Sequence, residues 1–191
     1  MKKQKWCMGN ERGFTLVEIA IVMVIIGLLL GGILKGQAMI QNAKIKSYQS
    51  DVNGLRAAWY SYYDRYGKYP GDDDTATAHQ WHCNATIVNG NGDGNIDTGE
   101  RPDAFIHLRC SGLLGGDPTA TNQYPTNAYG GRYIIIYNAY GVGGNGVSAE
   151  QIPGEVAEAT DNRLDDGTFN TGVIRSNVSY NNALVNQSHR F

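Results

Sequence analysis

Hydrophobic and polar positions are distributed very unevenly along this chain. Residues 14–34 are almost all apolar, with Glu18 as their only charge, and Lys35 closes the run. A helix of this length is about 30 Å long, which is enough to cross the hydrocarbon core of a membrane. The run is longer than the apolar core of an ordinary secretory signal, and its small residues Gly31 and Gly32 lie inside it. We therefore expect the run to be retained as a membrane helix.

A helical spacing of apolar residues continues beyond this run. The residues recur every three or four positions, and Gly67 ends the pattern: Ile45, Tyr48, Val52, Leu55, Trp59, Tyr62 and Tyr66. We therefore predict one helix over residues 14–66. Its first half, residues 14–34, suits a membrane, and its second half has the pattern of a helix that packs on a globular domain.

Residues 67–191 form the predicted head, in which strands are short and loops are long. The β-branched and aromatic run over residues 131–140 predicts a buried strand, and two shorter strands are predicted over residues 172–175 and 178–185. Residues 148–151 fit a capping box ahead of a short helix. The sequence thus predicts an α+β fold, in which the long N-terminal helix packs on a small antiparallel sheet of three or four strands.

Composition limits the range of functions. The chain has 191 residues and a formal charge of −2, from 16 basic and 18 acidic side chains. A near-neutral chain lacks the basic field that binds nucleic-acid phosphates, so no direct nucleic-acid contact is expected. The sequence shows no phosphate-binding loop, no dinucleotide fingerprint and no nucleophile motif, so we do not expect an enzyme.

A short basic segment precedes the apolar run. Its basic residues are Lys2, Lys3, Lys5 and Arg12. Positive charge marks the cytoplasmic side of a membrane helix, so the head is expected to be exported. At the junction lies the string Gly13-Phe14-Thr15-Leu16-Val17-Glu18. Beside a basic leader and an apolar run, this string resembles the processing site of type IV pilins and type II secretion pseudopilins.

The resemblance implies a processing pathway. A prepilin peptidase in the inner membrane would cut after Gly13, which removes residues 1–13 as a leader, and Phe14 would become the methylated N-terminus. The subunit would then lie in membrane lipid as a single-pass protein with its head in the periplasm. An inner-membrane assembly platform would finally add it to a polymer of pilin-like subunits, either a surface pilus or a periplasmic pseudopilus.

Glu18 is an ionisable residue inside an apolar run and therefore needs a partner. The resemblance identifies it as the buried glutamate of the family. Cleavage would leave a positive amine on Phe14, and the Glu18 carboxylate of a neighbouring subunit would neutralise that charge on assembly. The alternative is that Glu18 reaches the lipid headgroups of its own membrane.

The head carries one sharp chemical motif. Residues 89–100 match the oxygen spacing of the 12-residue EF-hand calcium loop, with Gly94 at the turn and Ile96 pointing inward. The predicted ligands are Asn89, Asn91, Asp93, the backbone carbonyl of Asn95, Asp97 and the bidentate Glu100. Calcium is the predicted cofactor, and the alternative is a solvated turn without an ion. A helix is predicted to follow at about residues 103–114.

Two cysteines flank this loop. Cys7 leaves with the leader, so the exported part keeps Cys83 and Cys110. Two cysteines in an oxidising compartment most simply form a disulfide, with two free thiols as the alternative. Residues 72–74, three aspartates, are interpreted as a solvated turn, with a second cation contact as the alternative. A metal cluster of His79, His82 and Cys83 is disfavoured because it lacks a fourth ligand.

The resemblance and the loop together suggest two functions. The first is a structural subunit, pilin or pseudopilin, of a type IV pilus or a type II secretion pseudopilus. The alternative is a minor or tip pilin that acts as a calcium-dependent adhesin or binding module. Filaments of this kind serve secretion, motility, adhesion or DNA uptake, and all four remain open at this point.

Overall fold

A computed structural model of the chain describes residues 13–191. All of the predicted leader except Gly13 lies outside the described residues. The helices and strands are α1 (Leu16–Tyr66), α2 (Arg101–Cys110), β1 (Tyr133–Tyr137), β2 (Asn145–Pro153), α3 (Gly154–Leu164), β3 (Ile174–Ser176) and β4 (Leu184–Arg190). The fold is α+β, with one long N-terminal helix and a small antiparallel sheet, as the sequence predicts.

The chain divides into two compact units, and the division falls between Ala43 and Lys44 within α1. In the first unit the apolar side chains of α1 are exposed, and Leu16 is 91% exposed. This part of the helix is long and apolar enough to span a membrane. Apolar exposure over so many residues indicates a surface whose partner is lipid or other helices.

In the second unit, the C-terminal half of α1 forms one wall of the hydrophobic core. The predicted stripe is confirmed, because Tyr48, Val52, Leu55, Trp59 and Tyr62 are all buried. Ile45 and Tyr66 are partly buried against the same core. The helix ends at Tyr66, and the next residue, Gly67, adopts a φ of +68° and donates its N–H to the Tyr63 carbonyl at 2.7 Å.

The sheet forms the other wall of this core. Its strand order is β1-β2-β4-β3, and every neighbouring pair is antiparallel. Its buried apolar residues include Ile135, Val147, Ile152 and Val185. The Tyr48 hydroxyl of α1 donates to Gln187 Oε1 of β4 at 2.9 Å, so a buried polar contact also joins helix and sheet.

The capping-box prediction for residues 148–151 is wrong. These residues lie in β2, and α3 begins only at Gly154. The reason is tertiary: Ser148 lies between Ile134 of β1 and Ser188 of β4, so two ladders fix the segment as a central strand. Ladder hydrogen bonds on both sides outweigh a local capping preference.

The last two predicted strands are displaced along the sequence. The structure has β3 at Ile174–Ser176 and β4 at Leu184–Arg190, rather than strands over residues 172–175 and 178–185. Residues 179–182 instead form a turn, closed by the Asn182 N–H to the Ser179 carbonyl at 3.1 Å. β4 includes the polar residues Gln187 and His189, both fully buried, which a search for apolar runs passes over.

Candidate functional site

The predicted processing site lies just ahead of α1. Gly13 and Phe14 precede the first helical residue, Leu16, and both are exposed. A side chain added at Gly13 would meet no atom within 4 Å among residues 13–191. Nothing in this part of the chain covers the peptide bond after Gly13, and nothing in it requires glycine at this position.

Glu18 has a local role in addition to the predicted one. Its carboxylate accepts hydrogen bonds from the backbone N–H and the hydroxyl of Thr15, both at 2.8 Å. The Glu18 N–H donates to Thr15 Oγ1 at 3.2 Å in return. This reciprocal pair is a capping box at the start of α1, and its signal, threonine three residues before glutamate, is visible in the sequence.

The predicted disulfide is confirmed. Cys83 and Cys110 are bonded, with their Cα atoms 5.4 Å apart. Cys110 is the last residue of α2, so the bond ties the end of this helix to the segment that leads into the loop of residues 89–100. The helix predicted after the loop is α2, which begins at Arg101 and ends at Cys110 rather than spanning residues 103–114.

Asp72 precedes the loop of residues 89–100 in the sequence, but its carboxylate binds the backbone of that loop. Its side chain is buried, and its Oδ1 accepts the backbone N–H groups of Gly92 and Asp93 at 2.7 and 3.0 Å. Its Oδ2 accepts the N–H of Gly94 at 2.8 Å. The interpretation of residues 72–74 as a solvated turn is therefore wrong for Asp72. A carboxylate from outside the predicted ligand set organises the loop.

Asp73 is also buried, and it ties the same segment to α1. It accepts hydrogen bonds from the Tyr62 hydroxyl at 2.7 Å, from Thr75 and from His79. Burial raises the pKa of Asp73, but these donors outweigh burial and hold the pKa below its usual value. His79 forms a hydrogen bond with Asp73, and Cys83 forms a disulfide with Cys110. A metal cluster of His79, His82 and Cys83 therefore gains no support.

The predicted ligands of the loop are partly engaged with backbone donors. Asn89 Oδ1 accepts the Thr77 N–H at 2.9 Å, and Glu100 accepts the N–H groups of Asn91 and Asp97 at 2.9 and 3.0 Å. Within residues 13–191, Asp93, Asp97 and Glu100 do not offer three carboxylate oxygens that all lie within 4.8 Å of one another. A calcium ion would have to draw these carboxylates closer together.

The loop backbone has the shape that the motif predicts. Gly94 adopts a φ of +90°, and Ile96 is buried in the core. The side chain of Asn91 accepts the Asp93 N–H, and that of Asp93 accepts the Asn95 N–H, both at 2.8 Å. Two successive side-chain-to-backbone turns therefore shape this part of the loop.

Negative charges face one another around the loop. Burial raises the pKa of Asp72 and of Asp103, and in both cases the charge of Glu100 raises it further. The three backbone donors to Asp72 act in the opposite direction without cancelling the rise. A bound cation would offset this repulsion, so the electrostatics of the loop favour a positive ligand.

Two further residues hold the loop and the segments beside it in place. His107 of α2 is buried and accepts the Gly71 N–H at its Nδ1, while its Nε2 donates to the Val88 carbonyl, both at 2.9 Å. Burial lowers the pKa of His107 to about 4, which keeps the ring neutral and able to fill both roles. Asn145 of β2 donates to the Gly94 carbonyl at 2.8 Å and accepts the Ile96 N–H at 3.0 Å.

Comparison with known families bears on the N-terminal segment. Residues 8–34 match the family described as the prokaryotic N-terminal methylation motif. The chain carries a prepilin-type methylation motif. The match supports a subunit of the type IV pilin and pseudopilin type, and with the exposed apolar part of α1 it supports anchoring in a membrane. No curated protein and no solved structure matches the chain.

The prepilin motif includes all three residues that are predicted to act in processing and assembly. Gly13, Phe14 and Glu18 all lie inside the matched residues 8–34. The match ends at Leu34, before the second compact unit begins at Lys44. The function of the head therefore has to be argued from its own side chains.

Proposed function

We propose that this chain is a structural subunit of a type IV pilus or a type II secretion pseudopilus. The prepilin motif over residues 8–34 carries the proposal. The exposed position of Gly13 and the exposed apolar surface of α1 support it, because a filament core needs a cleavable leader and a helix that packs against other helices. A prepilin peptidase and an inner-membrane assembly platform are the partners that this pathway requires.

The proposal also fixes where the protein would reside. The subunit is anchored in the inner membrane through residues 14–34, with its head in the periplasm, until it is assembled. Removal of the leader takes away four basic residues and one acidic residue, so the mature subunit is more acidic than the formal −2 of the full sequence. Its head is therefore not expected to bind nucleic acid directly.

Glu18 provides the first test. Glu18→Gln keeps an oxygen that can accept the Thr15 hydrogen bonds but removes the charge, whereas Glu18→Ala removes both. We expect the peptidase to process both variants, and we expect neither to enter filaments efficiently, because each leaves the amine of Phe14 without its counter-charge. The measurement is the amount of subunit in the filament fraction relative to the membrane fraction of the native cells.

The two variants separate pairing from capping. If Glu18→Gln assembles as well as the wild type while Glu18→Ala does not, the capping box is what matters and the charge-pairing idea is wrong. Normal filaments from Glu18→Ala would contradict both roles in assembly.

A second candidate function concerns the head. We propose that the loop of residues 89–100 binds calcium, with Asp72 as an additional carboxylate beside the predicted ligands. Asp72 lies against this loop, because its carboxylate accepts the N–H groups of Gly92, Asp93 and Gly94, and the charge of Glu100 helps to raise its pKa. A calcium-dependent adhesin or binding module at a filament tip would use such a loop. Stoichiometry separates the two functions, because a shaft subunit dominates purified filaments and a tip subunit is rare in them.

A further inference from the structure

A second group of carboxylates lies where α3 ends, in a part of the head that the loop of residues 89–100 does not include. Asp161 belongs to α3, and Asp165 and Asp166 follow its last residue, Leu164. Each of the three offers a carboxylate oxygen, and these oxygens all lie within 4.8 Å of one another. The group runs from the interior of the protein to its surface: Asp161 is buried, Asp165 is half-buried and Asp166 is exposed.

Asp161 is the unusual member of this group. Its side chain is fully buried, and its Oδ2 accepts the Tyr180 hydroxyl at 2.6 Å. Its Oδ1 is buried too, and no donor within residues 13–191 lies in good hydrogen-bond geometry to it, although the Gly167 N–H is close enough to Asp161 to help lower its pKa. A buried carboxylate oxygen without a good hydrogen bond is destabilising, so this atom favours a proton or a ligand.

The other two carboxylates are held in place by backbone and hydroxyl donors. Asp165 Oδ2 accepts the N–H groups of Val173 and Ile174. Asp166 Oδ1 accepts the Thr168 N–H at 2.8 Å, and its Oδ2 accepts the Thr171 hydroxyl at 2.6 Å. Donors of this kind orient a carboxylate without neutralising it, so the negative charges remain.

Cationic side chains compensate these charges only in part, since the charge of Arg175 helps to lower the pKa of Asp166 without forming a salt bridge to it. Among the described residues, none of the three aspartates takes part in a salt bridge. Arg175 is the nearby cation, but its guanidinium donates to the carbonyls of Gly172 and Gly141 at 3.1 and 3.0 Å. The charges of Asp165 and Asp166 also add to the effect of burial in raising the pKa of Asp161.

Glycines preserve the space around this group. A Cβ at Gly172 would lie 2.0 Å from Asp165 Oδ2, and Gly172 has a φ of +70°. Any side chain at this position would displace the Asp165 carboxylate. The turn between α3 and β3 is thus shaped around the carboxylate rather than around an apolar contact.

We propose that Asp161, Asp165 and Asp166 bind one calcium ion, at a site separate from the loop of residues 89–100. Carboxylate oxygens are the donors that hard divalent cations prefer. Two ligands at 2.3–2.6 Å from calcium can be up to about 5 Å apart, whereas two ligands of magnesium are at most about 4.2 Å apart. The ion would bind between the three carboxylates from the exposed side, at Asp166, and would fix the end of α3 to the start of β3.

Calorimetric titration of the full-length chain in detergent tests this site. Glu100→Ala is introduced first, so that the loop of residues 89–100 does not contribute. We expect this parent to bind one calcium ion. Asp161→Asn, which keeps the shape of the side chain and an acceptor for Tyr180, should weaken calcium binding tenfold or more, as should Asp166→Asn at the surface. Asp64→Asn, an exposed residue of α1, is the matched control and should bind calcium as the parent does.

Each outcome decides the proposal. Asp166→Asn covers the case in which Asp161→Asn does not fold, because Asp166 is exposed. A parent that binds no calcium would overturn the proposal, and so would unchanged binding after the Asp166 substitution. Neither result would affect the filament function, which rests on the prepilin motif and not on this turn.

Discussion

Replacing Cys83 and Cys110 by serine should lower the free energy of unfolding of the oxidised protein by about 3.6 kcal/mol. The two cysteines are separated by 27 positions, and closing a ring of this length removes that much conformational freedom from the unfolded chain in the chain-entropy estimate. The ring contains the loop of residues 89–100, whose only large apolar side chain is Ile96. Burial of apolar surface in this loop therefore compensates little for loss of the disulfide. For a chain of this size, the melting temperature should fall by about 10 °C.

Reduction of the wild type supplies the control. In the presence of a thiol reductant the wild type should melt near the temperature of the double variant, whose own melting temperature should not respond. If the oxidised wild type and the double variant melt together, the bond does not stabilise this region.

Calcium should slow hydrogen exchange in residues 89–100. A ligand that binds only the folded form stabilises that form by about 2.7 kcal/mol when its concentration is a hundredfold above Kd. If the amides exchange only when the loop opens, their exchange should slow about hundredfold. The amides that bond to Asp72, those of Gly92, Asp93 and Gly94, should show the effect most clearly. Exchange mass spectrometry in chelator and in millimolar calcium measures it.

Two variants assign this effect to the loop. Glu100→Ala should abolish the protection that calcium gives to residues 89–100. Asp161→Asn should leave that protection intact, because Asp161 belongs to the separate turn at the end of α3. Equal exchange of the wild-type loop in chelator and in calcium would mean that residues 89–100 form a polar turn without an ion.

The features that follow from sequence are those that depend on neighbours along the chain. The apolar stripe on α1 repeats with the period of a helix, and β1 is a run of β-branched and aromatic residues, so both are predictable from local pattern. The disulfide follows from a count, since only two cysteines lie beyond the predicted leader.

The features that sequence pattern misses depend on contacts between distant residues. Asp72 meets its three donors about 20 positions further on, and Asn145 meets the loop from 49 positions away. Nothing near Asp72 in the sequence distinguishes it from Asp74, which is exposed and pairs with Lys68 at 2.9 Å. The polar core of β4 is hidden for the same reason, because Gln187 and His189 find their partner, Tyr48, on α1.

The most direct test of the filament function is the N-terminal mass of the protein recovered from its native cells. Processing at the prepilin motif predicts a mature chain that begins at Phe14, with one methyl group on its α-amine. The exposed position of Gly13 and the match over residues 8–34 both point to this cut. A chain that begins after residue 31 or 32 would instead show an ordinary secretory signal, and a chain that keeps residues 1–13 would show no processing. Either result would contradict assignment to the pilin and pseudopilin pathway.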